Sequence, residues 1–176
     1  MKTVRFIAGI LYYLSRILAI IVSAIAVYAL VIILLHLNNP DSSLPIKIVN
    51  NDRFEIFYPF TQTTFLLGDY TASYLVSNLL TITFYGLFLW LLGGVFHAFK
   101  QQKIFTKKGM MQLSVFYIVN LIVPFVFVAL LFVFGQEVLD IVRIILLHLV
   151  IGVFAFFMSA IFRQGLLLQE EQDLTF

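Results

Sequence analysis

Arg16, Asn120 and His148 are the polar side chains whose positions invite chemistry, because each falls inside a long apolar run where burying a polar group is costly. Arg16 stands near the inner end of the first run and is long enough to carry its guanidinium out to lipid headgroups. His148 lies one to two turns inside the fourth run. A histidine there suits either proton-linked chemistry or a hydrogen-bonded packing role, and packing is the simpler reading. Asn120 precedes Pro124 by one helical turn, and the missing proline N–H frees the Asn120 carbonyl. That arrangement either lines a polar pocket or bends the helix to fit its neighbours. His36 and His97 fall at opposite membrane faces. His36 and His148 share the outer half, but a two-haem relay would need a second pair that is absent. Asp140 and Arg143 are spaced to pair along a helix, and Glu137 and Asp140 suit a helix N-terminus without any catalytic role. There is no HExxH, no GxSxG and no phosphate loop, and the chain contains no cysteine. The expectation is no catalytic residue, no metal, no cofactor and no enzyme.

The elements that hold these residues follow from composition. Of 176 residues, 62% are hydrophobic, 11% are charged and 20 are Phe, with a mean hydropathy of +1.04. A soluble domain runs about 45–50% apolar and roughly 25% charged. Disorder, coiled coil, collagen and direct nucleic-acid binding all need more charge or more Gly and Pro. A single integral membrane domain, 1–176, remains. The lack of both cysteine and an Asn-X-Ser/Thr sequon in the outer loop favours a bacterial membrane.

Crossing about 30 Å of hydrocarbon takes about 20 apolar residues as helix. Four segments qualify, and the spacing predicts an all-α bundle of four transmembrane helices near 8–37, 71–99, 109–134 and 139–164. The first is too long for a signal-peptide core and stays as an anchor. With both termini on one side, that side holds Lys2, Arg5, Arg16, Lys100, Lys103, Lys107, Lys108 and Arg163, eight of the eleven basic residues. The positive-inside bias therefore places both termini and the 100–108 loop in the cytoplasm of a bacterial inner membrane.

The outer loop, 38–70, carries Pro40, Pro45 and Pro59. Two short β-prone runs, Ile46–Val49 and Arg53–Phe57, flank an Asn50-Asn51-Asp52 turn and predict a small β-hairpin. Phe54 and Ile56 share one of its faces; Arg53, Glu55 and Phe57 share the other. Such a hairpin caps the helices or senses a ligand. Gly135 marks a tight turn that makes the third and fourth helices antiparallel neighbours. Ser15, Ala19 and Ser23 form a small-residue stripe on the first helix, and Ser73, Ser77 and Thr81, with Asn78 beside them, form another on the second.

In the inner loop, Thr106 is a natural N-cap for the third helix, with Phe105 and Met110 at the spacing of a hydrophobic staple. Lys100, Lys103, Lys107 and Lys108 attract anionic lipid. The tail, 165–176, pairs an apolar cluster with Glu170, Glu171 and Asp173 and then ends on Leu174 and Phe176. Those groups either fold back, the acids meeting Lys107 and Lys108, or dock a cytoplasmic partner.

The loop Lys103-Ile-Phe-Thr-Lys-Lys-Gly109 and the tail Ile161-Phe-Arg-Gln-Gly-Leu-Leu-Leu-Gln-Glu-Glu-Gln-Asp-Leu-Thr175 resemble the two signature stretches of an uncharacterised bacterial domain-of-unknown-function family of four-helix inner-membrane proteins. The loop departs from the family pattern at Gln102, where Gly is common, and at Gly109, where Asn is common. The resemblance implies a small helix-turn-helix transcription regulator as the cytoplasmic partner, held through Lys103, Phe105, Lys107, Lys108 and the tail. The competing reading is a small transporter, channel or accessory subunit of a larger membrane complex or homo-oligomer, drawn from the Ser/Thr/Asn stripe, Asn120 with Pro124, and His148.

Overall fold

Long apolar runs become helix because hydrocarbon offers no partner to a backbone N–H or C=O, and a helix bonds all of them within one segment. The computed structural model describes residues 2–40, 43–50, 52–133 and 139–173, except for the side chains of residues 131, 133, 139–144 and 173. Its helices are α1 (Lys2–Asn38), α2 (Ala72–Lys100), α3 (Lys107–Val133) and α4 (Leu139–Asp173). All four are long and apolar enough to cross a membrane. The expected turn at Gly135 lies outside the described residues, and the expected Asp140–Arg143 pair falls on side chains that are not described.

Three expectations need correction. First, α1 begins at Lys2 rather than near 8, since Lys2 to Ile7 contains no helix breaker. Second, α4 runs through Gly165 to Asp173 instead of ending near 164. Leu, Gln and Glu after the glycine are strong helix formers and outweigh its cost of about 1 kcal/mol. Third, the outer loop is a three-stranded antiparallel sheet, not a hairpin. Strands β1 (Ile46–Val49) and β2 (Arg53–Phe57) pair as expected, with Ile46 opposite Ile56 and Val49 opposite Arg53. Strand β3 (Thr64–Asp69) adds to the far side of β2.

The chain forms two compact units, 1–19 with 87–176, and 20–86. In the second unit, Phe54 and Ile56 on one face of β2 are fully buried against Ile32 and Ile33 of α1 and Leu75 of α2. Tyr28 of α1 donates its hydroxyl to the Phe57 carbonyl at 2.9 Å, tying the sheet to the helix. Gly68 is required within β3, because any Cβ there would overlap the Tyr74 ring of α2. At Gly86 a Cβ would come within 2.8 Å of Ser23 Oγ, so the small residues of α1 and α2 do allow close approach. The Ser77, Asn78 and Thr81 side chains donate to the carbonyls of Tyr74, Tyr74 and Ser77, so this polar stripe bonds its own helix.

In the first unit, α3 and α4 pack along each other. Ser114 and Ser159 hydrogen-bond across them at 3.0 Å, and Gly152 lets Leu121 lie against α4. Helix α3 runs unbroken through Pro124.

Candidate functional site

The two cytoplasm-expected segments meet each other. Thr106 caps α3 as its sequence position demands, its hydroxyl accepting the Gly109 N–H at 3.0 Å. This fixes the chain direction at Phe105, whose ring meets Phe162 of α4 edge-on with centroids 5.4 Å apart. Phe162 is 1% exposed and also takes the Phe99 ring edge-on at 5.2 Å. Gly165, one turn further along α4, is where Phe105 lies closest: a Cβ there would stand 2.6 Å from the ring. Phe105 and Met110 pack on the same buried cluster of Ala98, Leu113 and Phe162. The loop is thereby clamped to the start of the α4 extension.

Beyond that clamp α4 is outward-facing. Lys107 Nζ stands 3.6 Å from Glu170 Oε1, with both side chains largely in solvent, so the pair stabilises little. Lys108 and Glu171 are exposed, as are Leu167 and Leu168 at 52% and 61%. Of the remaining tail candidates, Asp173 ends the helix with its side chain undescribed, and Leu174 and Phe176 lie outside the described residues.

Asn120 and His148 are brought together in the core. The Asn120 Nδ2 donates to the Phe116 carbonyl at 2.8 Å, so its Oδ1 faces His148 Nδ1, also at 2.8 Å. An amide oxygen accepts, and the histidine proton therefore sits on Nδ1. The imidazole also meets the Phe88 ring edge-on at 5.2 Å, and both polar residues are 1% exposed or less. This buried pair links α3 to α4. His36 is buried beside the Tyr70 ring.

Arg16 sits in a cluster that its own position in the sequence did not disclose. Its guanidinium lies over the Trp90 ring at 3.7 Å and within 5.5 Å of Tyr12. Gly93 makes room for it: a Cβ there would be 3.1 Å from Arg16 Nε. Tyr12 in turn meets His97, and Lys100 donates to the Tyr13 hydroxyl at 3.0 Å. Helical spacing carries the missed signal, since Tyr12 and Arg16 share a face of α1 while Trp90, Gly93 and His97 share a face of α2. Among the described residues, no three His, Cys, Asp or Glu side chains are grouped to hold a metal ion.

No curated protein and no solved structure matches the chain. A family profile does, over residues 45–176, which includes the sheet, α2, α3, α4 and both the loop and the tail that clamp together. The chain belongs to DUF2975, a protein family of unknown function.

Proposed function

We propose that the chain is a non-enzymatic, multi-pass protein of a bacterial inner membrane whose 100–108 loop and α4 extension form a docking platform for a cytoplasmic protein. The orientation rests on the basic residues, eight of eleven on the side of the termini and the loop. The observation that carries the docking reading is the α4 extension. Its 35 residues reach about 52 Å, well past about 30 Å of hydrocarbon. The surplus is a helix presenting Leu167 and Leu168 beside Glu170 and Glu171, clamped at its root by Phe105 and Phe162. A rigid helix with an apolar and acidic surface suits helix-in-groove recognition by a basic partner. A helix-turn-helix regulator, the partner implied by the sequence resemblance, carries such a basic face for DNA.

The test is affinity capture of the full chain in mild detergent against the variants Leu168→Lys and Glu171→Lys, whose side chains are exposed and leave the clamp intact. A soluble protein that wild type retains and both variants lose, at unchanged thermal stability, supports the platform. Equal capture by all three chains contradicts it.

A further inference from the structure

We infer that the junction of α1, α2 and α3 in the first unit holds a binding site for the phosphate group of an anionic phospholipid, built by Arg16, His97, Lys108 and Gln112. Two neighbouring cavities define it. One, of about 580 Å³, is lined by His97, Gln101, Gln102, Lys103, Thr106 and Lys108, among others. The other, of about 190 Å³, runs along Arg16, Trp90, Leu91, Met111 and Val115. Gln112 lines both, so a polar chamber adjoins an apolar groove. A ligand with a polar head and an apolar chain matches that pairing; a soluble phosphate compound would use the first cavity alone.

The unspent hydrogen-bonding groups at the junction are three donors, Arg16 Nε and Nη1 and His97 Nδ1, beside one acceptor, Gln112 Oε1, and the donors suit an anion. Arg16 Nε and Nη1 are buried without a hydrogen-bond partner, and among the described residues Arg16 meets no carboxylate. Buried donors in this state carry a desolvation cost that an occupying anion would remove. Gln101 Nε2 lies 2.8 Å from His97 Nε2 and donates to it, which leaves the ring proton on Nδ1, itself buried without a partner. Lys108, Lys100 and Arg16 all lie within electrostatic reach of His97. The start of α3 adds the positive end of its dipole at Lys107 and Lys108. Trp90 and Met111 are 50% and 60% exposed, as expected of groove walls that face an acyl chain.

The site rests on the membrane reading of the helices and not on the docking of any partner, so it stands or falls separately from the tail variants above. Its test is native mass spectrometry of the full chain in detergent, titrated with phosphatidylglycerol and, separately, with phosphatidylcholine. Wild type should retain phosphatidylglycerol in preference to phosphatidylcholine. Arg16→Gln and Lys108→Gln should each weaken phosphatidylglycerol retention roughly fivefold, the worth of one cation at a lipid surface. Lys47→Gln, an exposed change on β1, should leave it unaltered. Because Lys108 is exposed, its variant keeps the test valid if Arg16→Gln impairs folding. Wild-type retention in both site variants, or an equal loss with Lys47→Gln, overturns the site. Millimolar glycerol phosphate should fail to displace the lipid; displacement by it overturns the lipid assignment in favour of a soluble phosphate ligand.

Discussion

Replacing Gly165 by alanine tests whether the loop is clamped to α4 by the Phe105 ring. Two effects oppose one another. Alanine is favoured over glycine in a helix interior by about 1 kcal/mol. Gly9 supplies the reference, since a Cβ there finds its nearest atom, Lys100 Cδ, at 4.0 Å, and Gly9→Ala should show that gain alone. At Gly165 the new Cβ would stand 2.6 Å from Phe105 Cδ1 and Cγ and 2.7 Å from Cδ2. These are ring atoms near the root of the side chain, and the ring is already set edge-on against Phe162, so it must leave its place. Overpacking of this kind costs about 1–3 kcal/mol, which includes the lost aromatic pair worth about 0.5–1.5 kcal/mol. The net expectation is a loss of about 0–2 kcal/mol. In a Phe105→Ala background the obstruction is gone, and Gly165→Ala should then stabilise by about 1 kcal/mol, a coupling of about 1–3 kcal/mol between the two positions. Denaturation in mild detergent measures each corner of the cycle, with amide exchange over residues 166–173 reporting the extension itself. If Gly165→Ala stabilises as much as Gly9→Ala while Phe105 is present, the clamp does not exist.

Other outcomes follow from the same geometry. His148→Ala and Asn120→Ala should each destabilise, and a double-mutant cycle should give a coupling of about 0.6–1.7 kcal/mol, the range for hydrogen bonds between membrane helices; additivity would mean the 2.8 Å contact is idle. Phe54→Ala empties a fully buried position in the sheet-containing unit and should cost about 3–5 kcal/mol. Amide exchange should rise across 46–69 and stay unchanged across the α3–α4 pair. Phe60 is fully exposed with φ 61°, a left-handed conformation that costs a bulky residue about 1–2 kcal/mol, so Phe60→Asn should raise the melting temperature.

The four helices were legible because apolar length is a strong signal, and the pairing of β1 with β2 was legible because Phe54 and Ile56 alternate with polar neighbours. Strand β3 was not. Thr64-Phe-Leu-Leu-Gly-Asp69 has no clean alternation and contains a glycine, whose purpose appears only when Tyr74 of α2 is seen lying over it. Gly165 misled in the same way: read locally it ends a helix, while in the fold it is the place where Phe105 docks. Arg16 was recognised as costly, yet its setting depends on Trp90, Gly93 and His97, far away in sequence and joined to it only by packing. Periodicity reports which face a residue occupies; it does not report which distant face it meets.

The proposed orientation puts the 100–108 loop and the α4 extension in the cytoplasm and Lys47 outside, as the distribution of basic residues suggests. The chain has no cysteine, so single substitutions report on side without background. Lys47→Cys, Lys103→Cys and Gln172→Cys, treated in spheroplasts with a membrane-impermeant thiol reagent, are the direct measurement. Lys47→Cys should be labelled in intact spheroplasts, and Lys103→Cys and Gln172→Cys only after permeabilisation. Labelling of Lys103→Cys and Gln172→Cys from opposite sides, or shielding of Lys47→Cys, would contradict that orientation.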